Sequence, residues 1–352
     1  MTPEQADRLT TPATNGNGSG PDAAELSVSR ALVTGEPGRR VPDFFVVGHP
    51  KCGTTALYEM LMGHPQIFMP SGKEPWFFAR ELLTNTPPRP TGTPHTLEQY
   101  LAWFEGAAPD QLIGEASAMY LWSQVAAAGI AQVNPGARII AFLREPASFL
   151  RSLHLEWVQI YVERELDFRK AMALEPERRE GKHVTARAYW PQALMYSDYV
   201  RYTEQLQRYH AVFPREQVLV LIYDDFRQSN EATLERVLRF LDVDHTHPVE
   251  VRESNPTVQV RSRALQNLMH SVLVGHGPIS RPVKSAVKAL TPTRLRKRTF
   301  REAQKRLLYT EPEPPDEQFM NELRRRFKPE VEAASEYLER DLVTLWGYDR
   351  LG

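Results

Sequence analysis

A short glycine-containing stretch carries residues suited to binding phosphate. Residues 46–57 read VVGHPKCGTTAL, with Gly48 and Gly53 in the G-x-x-x-x-G spacing of nucleotide-binding loops. Thr54 stands where such a loop has its lysine, and the lysine of this stretch is Lys51, two residues before the second glycine. A strand before the loop and a helix after it would direct main-chain N–H groups at an anion. The stretch therefore predicts an anion site whose lysine is placed differently from that of ATP-binding loops. An ordinary tight turn between strand and helix, with an exposed lysine, is the alternative.

A second candidate anion site follows a later apolar run. The sequence IIAFLREPASFLRSLH places Arg144 directly after a predicted buried strand and Ser152 eight residues later, in a predicted helix. Pro146 suits the first turn of that helix. Parallel strands bring their carboxyl ends to one edge of a sheet, so we expect Arg144 and Ser152 to hold a second phosphate there. A surface ion pair for Arg144 and a plain helix position for Ser152 are the alternatives.

The elements that would position these residues alternate between strands and helices. Three runs lack polar alternation, as is typical of strands buried on both faces: residues 44–47, 137–143 and 217–223. Helical patterns cover residues 197–213, beginning with a serine cap and stopped by Pro214, and residues 230–243. This alternation predicts an α/β domain of three layers with a central parallel sheet.

The two ends of the chain are predicted to differ in order. Residues 1–40 are rich in Thr, Pro, Gly, Asn and Ser and are expected to form a disordered arm. Residues 41–352 are expected to form a single domain, closed by two short helices within residues 319–348.

Composition excludes several classes of protein. The net charge is −1, so no global field attracts nucleic acid. Cys52 is the single cysteine, which excludes a disulfide framework and a cysteine-based zinc site. No apolar run reaches the length of a membrane span, and the N-terminus lacks the pattern of a secretion signal, so we expect a cytoplasmic protein.

His245 and His247 are the nearest approach to a metal-ligand cluster and are interpreted as surface-loop residues; no metal is expected.

Taken together, these motifs resemble the sulfotransferases that use 3′-phosphoadenosine 5′-phosphosulfate (PAPS), with similarity to bacterial and to heparan-type or carbohydrate members. The family's P-K-x-G-T-T loop is matched by Pro50, Lys51, Cys52, Gly53, Thr54 and Thr55. Its R-x-P motif with a later serine is matched by Arg144, Pro146 and Ser152, and its tyrosine–acid pair by Tyr223 and Asp224. The resemblance implies a P-loop NTPase-like fold, PAPS as donor, 3′-phosphoadenosine 5′-phosphate (PAP) as product, and no metal.

The resemblance also implies a role for each nucleotide-binding residue. Lys51 would reach the oxygen that bridges phosphorus and sulfur, where negative charge develops as the S–O bond breaks. Arg144 and Ser152 would hold the 3′-phosphate, and Tyr223 would lie near the adenine.

A general base is predicted in the segment SGKEPWFFA, which resembles the K-E-x-H-F-F segment of heparan-type sulfotransferases. There the glutamate takes the acceptor proton, a role that carries over to Glu74, with a solvated carboxylate beside Lys73 as the alternative. Cytosolic small-molecule members use a histidine as the base, for which this sequence has no convincing match. Lys73 would contact the phosphosulfate or the substrate. Trp76 stands where the family frequently has histidine.

Other residues near these motifs are weaker candidates. His49 could line the acceptor site or pack against the sheet, and Glu115 could contact the acceptor or cap the next helix. His154 and Glu156 follow Ser152 on its helix and are interpreted as structural. Cys52 is interpreted as a small filler of the loop.

Two later segments each have more than one predicted role. Residues 251–266 match the family's loop over the nucleotide, with Arg261 as the predicted nucleotide ligand and Arg252, Asn255 and Arg263 as further candidates, or with solvated charges as the alternative. Residues 277–306 contain ten Lys or Arg and one acid. They could form an exposed helix face, attract an acidic glycan, or contact an anionic membrane peripherally through residues 281–306. Nucleic acid is not expected, because no aromatic residues interleave with the charges.

The predicted function is transfer of a sulfuryl group from PAPS to a hydroxyl, or an amine, of a small-molecule, glycan or lipid-linked acceptor. The acceptor pocket is expected in loops 80–108 and 163–196. One alternative is a P-loop kinase using ATP, since Asp224 and Asp225 resemble the acidic end of a Walker-B strand. The other is a nucleotide-binding module without catalysis.

Overall fold

A five-stranded parallel sheet positions the candidate residues. The computed structural model describes residues 40–83, 93–185, 191–248, 259–260 and 309–351. The strands are β1 (Phe44–Gly48), β2 (Ile67–Phe68), β3 (Leu112–Ala116), β4 (Arg138–Leu143) and β5 (Val218–Ile222). They are ordered β2-β3-β1-β4-β5, and every adjacent pair is parallel.

Both faces of the central strands are covered. All five residues of β1 are buried, as are Ile139–Leu143 of β4, although successive side chains of a strand point to opposite faces. The sheet is therefore the middle of three layers, as predicted. The three predicted strands are confirmed to within one residue at each end, whereas β2 has only two residues, too few to leave a hydrophobic pattern in the sequence.

Helices form the outer layers. They are α1 (Thr54–Met62), α2 (Leu97–Leu101), α3 (Ala126–Val133), α4 (Pro146–Gln159), α5 (Phe168–Ala173), α6 (Glu175–Arg179), α7 (Tyr196–Tyr199), α8 (Tyr202–His210), α9 (Tyr223–Gln228), α10 (Asn230–Leu241), α11 (Glu317–Tyr337) and α12 (Leu342–Leu345). Because α1, α4 and α9 begin within a few residues of the ends of β1, β4 and β5, their N-termini meet at the carboxyl edge of the sheet.

The helix predicted over residues 197–213 is two helices. α7 ends at Tyr199 and α8 begins at Tyr202. Ser197 does not cap a helix; its main-chain N–H and its hydroxyl both donate to the buried carboxylate of Glu175. The helix predicted at residues 230–243 is confirmed as α10, with Ser229 accepting a hydrogen bond from the N–H of Ala232.

The prediction of two C-terminal helices is confirmed, but the first of them is long and not short as predicted. The structure has one helix of 21 residues, α11, which continues through Pro329, and then the single turn α12. Proline removes one helical hydrogen bond. The buried stripe of Phe319, Leu323, Phe327 and Val331 recurs every four residues and packs the helix on both sides of the proline.

Several predicted features lie outside the described residues. They are most of the arm at residues 1–40, the four candidates of the loop at residues 251–266 (Arg252, Asn255, Arg261 and Arg263), and the basic segment at residues 281–306. Within 249–308 the structure describes β6 (Gln259–Val260), which pairs antiparallel with β7 (Tyr309–Thr310). No helix in the described part of the chain is long and apolar enough to cross a membrane.

Candidate active site

The glycine loop joins β1 to α1 through two left-handed residues. Gly53, which caps α1, has φ 93°, and Lys51 has φ 60°. A Cβ atom at position 53 would lie 2.8 Å from ring carbons of Phe226. Only glycine accommodates both this φ and this approach to α9. The resulting strand–loop–helix unit presents the free N–H groups of a nine-residue helix, the arrangement that binds anions elsewhere.

The side chains of the loop divide into buried and accessible ones. Cys52 and Thr54 are buried, whereas Pro50, Lys51 and Thr55 are half-buried. Burial raises the pKa of the Cys52 thiol to about 12, so the thiol stays protonated at neutral pH. This agrees with the interpretation of Cys52 as a filler and leaves its main chain as the part available to a ligand.

The second motif is in direct contact with the first. Arg144 directly follows β4, and its Nη1 donates a hydrogen bond to the carbonyl oxygen of Lys51 over 2.8 Å. The guanidinium carbon lies 4.4 Å from the ring centroid of Tyr223. The hydroxyl of Tyr202 donates to the Arg144 carbonyl over 2.8 Å. Three predicted nucleotide-binding residues, Lys51, Arg144 and Tyr223, therefore meet at one point of the sheet edge.

Ser152 lies on α4, which begins at this same edge. The carboxylate of Glu145 caps the helix by accepting from the N–H groups of Ala147 and Ser148, and Pro146 occupies the first turn as predicted. Ser152 lies in the second turn of this helix, and its side chain is buried, with 3% exposure. Its role as a phosphate ligand stays a prediction.

Lys73 and Glu74 lie against the first turn of α1. The Nζ atom of Lys73 donates to Thr55 Oγ1 over 3.1 Å and to Thr54 Oγ1 over 3.3 Å. The same ammonium lies 3.3 Å from Glu74 Oε1. Glu74, the predicted base, thus lies beside the glycine loop, and Lys73 contacts both.

The second oxygen of Glu74 is fixed by two N–H donors. Oε2 accepts from the indole Nε1 of Trp76 over 2.8 Å and from the N–H of Ala118 over 2.9 Å. Trp76 therefore supplies a donor to the carboxylate at the position where the family frequently has histidine. With Lys73 at Oε1, these donors fix the orientation of the carboxylate.

Glu115 lies behind Glu74, inside the protein. It has no exposure, and its Oε2 accepts from the hydroxyls of Tyr100 and Tyr120 over 2.9 and 3.0 Å. Burial raises the pKa of Glu115 to about 7, against the effect of its hydrogen bonds, and the charge of Glu74 adds to the rise. The expected contact with an acceptor, and a helix-capping role, do not fit this buried position.

His49 is also enclosed. Its Nε2 pairs with Gln205 Oε1 at 2.7 Å, and its ring lies against those of Phe149 and Tyr202. Burial lowers the pKa of His49 to about 4, so the ring is neutral at ordinary pH. Of its two expected roles the packing role fits, although the partners are helices α4 and α8.

Glu156, interpreted from the sequence as structural, lies beside the candidate site. Glu156 lies on α4 one turn beyond Ser152, and its Oε2 is 3.9 Å from the Nζ atom of Lys51. The spacing of four residues, which places both side chains on one face of a helix, was the available signal. His154 does fit the structural interpretation, since it is buried and its Nε2 lies 2.9 Å from the carbonyl oxygen of Glu165.

The two acids after β5 are held by the C-terminal segment. Asp224 Oδ2 accepts from Trp346 Nε1 over 2.9 Å, and both oxygens of Asp225 accept from Arg340 over 2.7 Å. A Walker-B acid must turn toward a magnesium ion beside the phosphates. Here both carboxylates are instead hydrogen-bonded to side chains of the C-terminal segment. Among the described residues, no three His, Cys, Asp or Glu side chains form a cluster suited to a metal.

Comparison with known proteins agrees with this geometry. Residues 41–269 match the sulfotransferase domain family. The chain belongs to this family. The crystal structure of a sulfotransferase from Alicyclobacillus acidocaldarius aligns with 87% of the chain and 99% of its own length, with a TM-score of 0.59 and 25% identity. The fold is accordingly the P-loop NTPase-like fold of sulfotransferases.

Curated sulfotransferase relatives match part of their length. Carbohydrate sulfotransferase 15 of Homo sapiens is 25% identical over 252 residues, which is 58% of this chain and 44% of the relative. Heparan sulfate glucosamine 3-O-sulfotransferase 3A1 of Mus musculus is 28% identical over 141 residues, which is 39% of this chain and 32% of the relative. The chain thus matches less than half the length of these two relatives.

Proposed function

We propose that the protein transfers the sulfuryl group of PAPS to a hydroxyl of a carbohydrate acceptor. The observation that carries the proposal is the joining of Lys51, Lys73, Glu74 and Arg144 around one glycine loop. Cations of the loop and of its neighbours suit an anionic donor, and a fixed carboxylate beside them suits an acceptor proton. Membership of the sulfotransferase domain family supports the same reaction.

The reaction proposed is a direct in-line displacement. The acceptor oxygen forms a bond to sulfur, the bond between sulfur and the bridging oxygen breaks, and PAP leaves with the electron pair. Lys51 stabilises the charge that develops on the bridging oxygen. Glu74 takes the acceptor proton, with its orientation set by Lys73, Trp76 and the N–H of Ala118.

A hydroxyl of a carbohydrate is the proposed acceptor because of the relatives. Their names specify a carbohydrate and the 3-O position of heparan sulfate glucosamine. A bifunctional heparan sulfate N-deacetylase/N-sulfotransferase 2 of Homo sapiens is 28% identical over 222 residues, so an amine is the second acceptor class to test. Small-molecule and lipid-linked acceptors are the remaining classes to test.

The geometry gives less support to a kinase. Lys73 reaches Thr54 and Thr55 from outside the loop, whereas an ATP-binding loop carries its lysine where Thr54 stands. The acids that would hold magnesium are paired with Trp346 and Arg340. A binding module without catalysis would not require the fixed orientation of Glu74.

The first test is calorimetric binding of PAP without a divalent metal, compared with ATP. We expect tight binding of PAP, much weaker binding of ATP, and a loss of about 10- to 100-fold in PAP affinity for Arg144→Ala, the range of a charge-assisted hydrogen bond. Arg239→Ala is the matched control, since Arg239 pairs with Glu235 on α10. Equal affinities for both nucleotides, or dependence on magnesium, would overturn the proposal.

The second test identifies the acceptor. PAPS carrying labelled sulfur is incubated with hydroxyl-bearing glycans, with the same glycans after N-deacetylation, with glycolipids, and with hydroxyl-bearing small molecules. We expect label in a hydroxyl-bearing glycan and none for Glu74→Gln. PAP binding without transfer to any of these classes would leave the non-catalytic module as the better account.

A further inference from the structure

Glu156 is a charged residue at the site for which the proposed reaction has no role. It projects from α4 toward the glycine loop, where its Oε2 atom lies 3.9 Å from the Nζ atom of Lys51. In the proposed reaction, Lys51 stabilises the charge on the bridging oxygen. Under that proposal one ammonium therefore serves two anions, a carboxylate of the protein and the bridging oxygen of the donor.

The surroundings of Glu156 differ from those of Glu74. Oε2 of Glu156 is buried and accepts no hydrogen bond from any described group, whereas Oε2 of Glu74 accepts two from N–H donors. The Glu156 side chain as a whole keeps 34% of its exposure, so the rest of it opens toward solvent. Among the cations of the described residues, Lys51 is the nearest to this buried oxygen. Its charge is thus balanced by an ion pair and not by fixed hydrogen bonds.

Four charged groups form a connected set at this point. Burial raises the pKa of Glu156; Lys51 opposes the rise, Glu74 adds to it, and Lys73 opposes it. Lys73 is in turn paired with Glu74 at 3.3 Å. Each lysine thus has its own carboxylate, and each carboxylate is close enough to influence the other.

The remaining charged groups on α4 are engaged elsewhere. Glu145, at the N-terminus of the helix, lies 3.8 Å from Arg324 of α11. Arg151 donates to the main-chain carbonyl of Glu313. Neither contributes to the charge balance at Glu156, which depends on Lys51, Lys73 and Glu74.

We propose that Glu156 is a positioning residue for Lys51, holding its ammonium over the glycine loop and competing for it with the anionic nucleotide. The inference rests on the proposed function, because it takes PAPS and PAP as the anions that Lys51 meets. Nucleotide binding then moves Lys51 from a carboxylate of the protein to a phosphate. Glu156 weakens ground-state binding of the nucleotide and returns the lysine to its place when PAP leaves.

The exchange of partners has a consequence for protons. When Lys51 turns to the nucleotide, the Glu156 carboxylate loses its nearest cation and faces an added negative charge. Both changes favour its protonated form. Nucleotide binding should therefore take up a proton, and affinity should rise as the pH falls through the range in which Glu156 titrates.

The test is calorimetry of PAP binding to the wild type, Glu156→Gln and Glu156→Asp. Wild type and variants are measured at two pH values, each in two buffers that differ in ionisation enthalpy. We expect Glu156→Gln to bind PAP about two- to fivefold more tightly at the higher pH, the range for a partly exposed ion pair, with a smaller gain at the lower pH. Proton uptake should fall in Glu156→Gln and persist in Glu156→Asp.

The matched control is Glu235→Gln, which removes an ion-paired glutamate on α10 that has no described contact with the loop. Ionisation of PAP itself is common to all proteins, so the difference between variants isolates Glu156. Equal affinity and equal proton uptake in wild type and Glu156→Gln would overturn the inference while leaving the proposed function standing. Weaker binding by Glu156→Gln would also overturn it. Absence of PAP binding by the wild type would instead remove the proposed function, and this inference with it.

Discussion

The guanidinium of Arg144 donates a hydrogen bond to the main-chain carbonyl of Lys51 over 2.8 Å, across 93 positions of sequence. It links the end of β4 to the loop after β1, two neighbouring strands of the sheet. The same side chain lies over the ring of Tyr223 at the end of β5. Arg144 thereby joins the three strand ends that carry the proposed nucleotide-binding residues.

A lysine at position 144 should not replace Arg144 in function, although it carries the same charge. We expect Arg144→Lys to lose about tenfold or more in PAP affinity, because a lysine keeps the charge but lacks the planar fork that bonds to Lys51 and stacks on Tyr223. Calorimetry of PAP binding measures this, with Arg239→Lys on α10 as the control. If the lysine variant bound PAP as tightly as the wild type, the contact with the Lys51 carbonyl would be irrelevant to the nucleotide.

Gly53 should tolerate no side chain. Its φ of 93° alone makes alanine unfavourable by about 1–3 kcal/mol. A Cβ atom would also meet the Phe226 ring at 2.8 Å, which adds about 1–3 kcal/mol of overpacking. We expect Gly53→Ala to lower the free energy of unfolding in urea by the sum of these two effects and to weaken PAP binding.

A second glycine separates the two effects. Gly347 has φ 74° but no atom within 4 Å of an added Cβ. Gly347→Ala should therefore show only the backbone effect and leave PAP affinity unchanged. Equal losses of stability in the two variants would show that the Phe226 contact relaxes without a penalty.

Glu74 should affect transfer far more than nucleotide binding. We expect Glu74→Gln to reduce sulfuryl transfer by about 10²- to 10⁴-fold, the usual effect of removing a general base, with little change in PAP affinity. Trp76→Phe keeps an aromatic ring but removes the N–H that orients Oε2, so it should reduce transfer to a smaller extent. Transfer of labelled sulfur measures both variants. Full activity in Glu74→Gln would place the base elsewhere.

Sequence reasoning was sufficient where the signal is local. The apolar runs of β1, β4 and β5, the spacing of the glycine loop, and Arg144 directly after a strand each depend on a few consecutive residues. The common edge of a parallel sheet then brought Lys51, Arg144 and Tyr223 together. Pro329 shows the limit of local signals, since buried contacts along the whole of α11 outweigh the preference of one residue.

The burial of Glu115 and the direction in which a face of α4 points could not be predicted from local sequence patterns. Nothing near Glu115 in sequence shows that the hydroxyls of Tyr100 and Tyr120 enclose its carboxylate. The four-residue spacing of Ser152 and Glu156 indicates a shared face of α4. Which way that face points depends on how the helix packs on the sheet, and only the structure shows it turned toward Lys51.

The buried carboxyl of Glu115 should make the stability of the protein depend on pH. Its pKa is about 7 in the folded protein against an ordinary value of 4.5, so between these values the folded state holds one proton more than the unfolded state. Raising the pH across this range therefore favours unfolding. The stabilisation is complete below about pH 4.5 and is lost as the pH rises through about 7, a fall of about 3 kcal/mol at most.

Glu115→Gln should remove this dependence. The glutamine keeps an oxygen that can accept from the two tyrosines but has no proton to lose in this range. We expect the fall in the free energy of unfolding between about pH 5 and about pH 8, measured by urea titration, to be smaller in the variant by about 2–3 kcal/mol. The comparison uses the slope with pH, so a constant difference in stability between the two proteins does not affect it. Parallel curves for wild type and variant would mean that Glu115 is already charged in the folded protein, with Tyr100 and Tyr120 as donors strong enough to offset its burial.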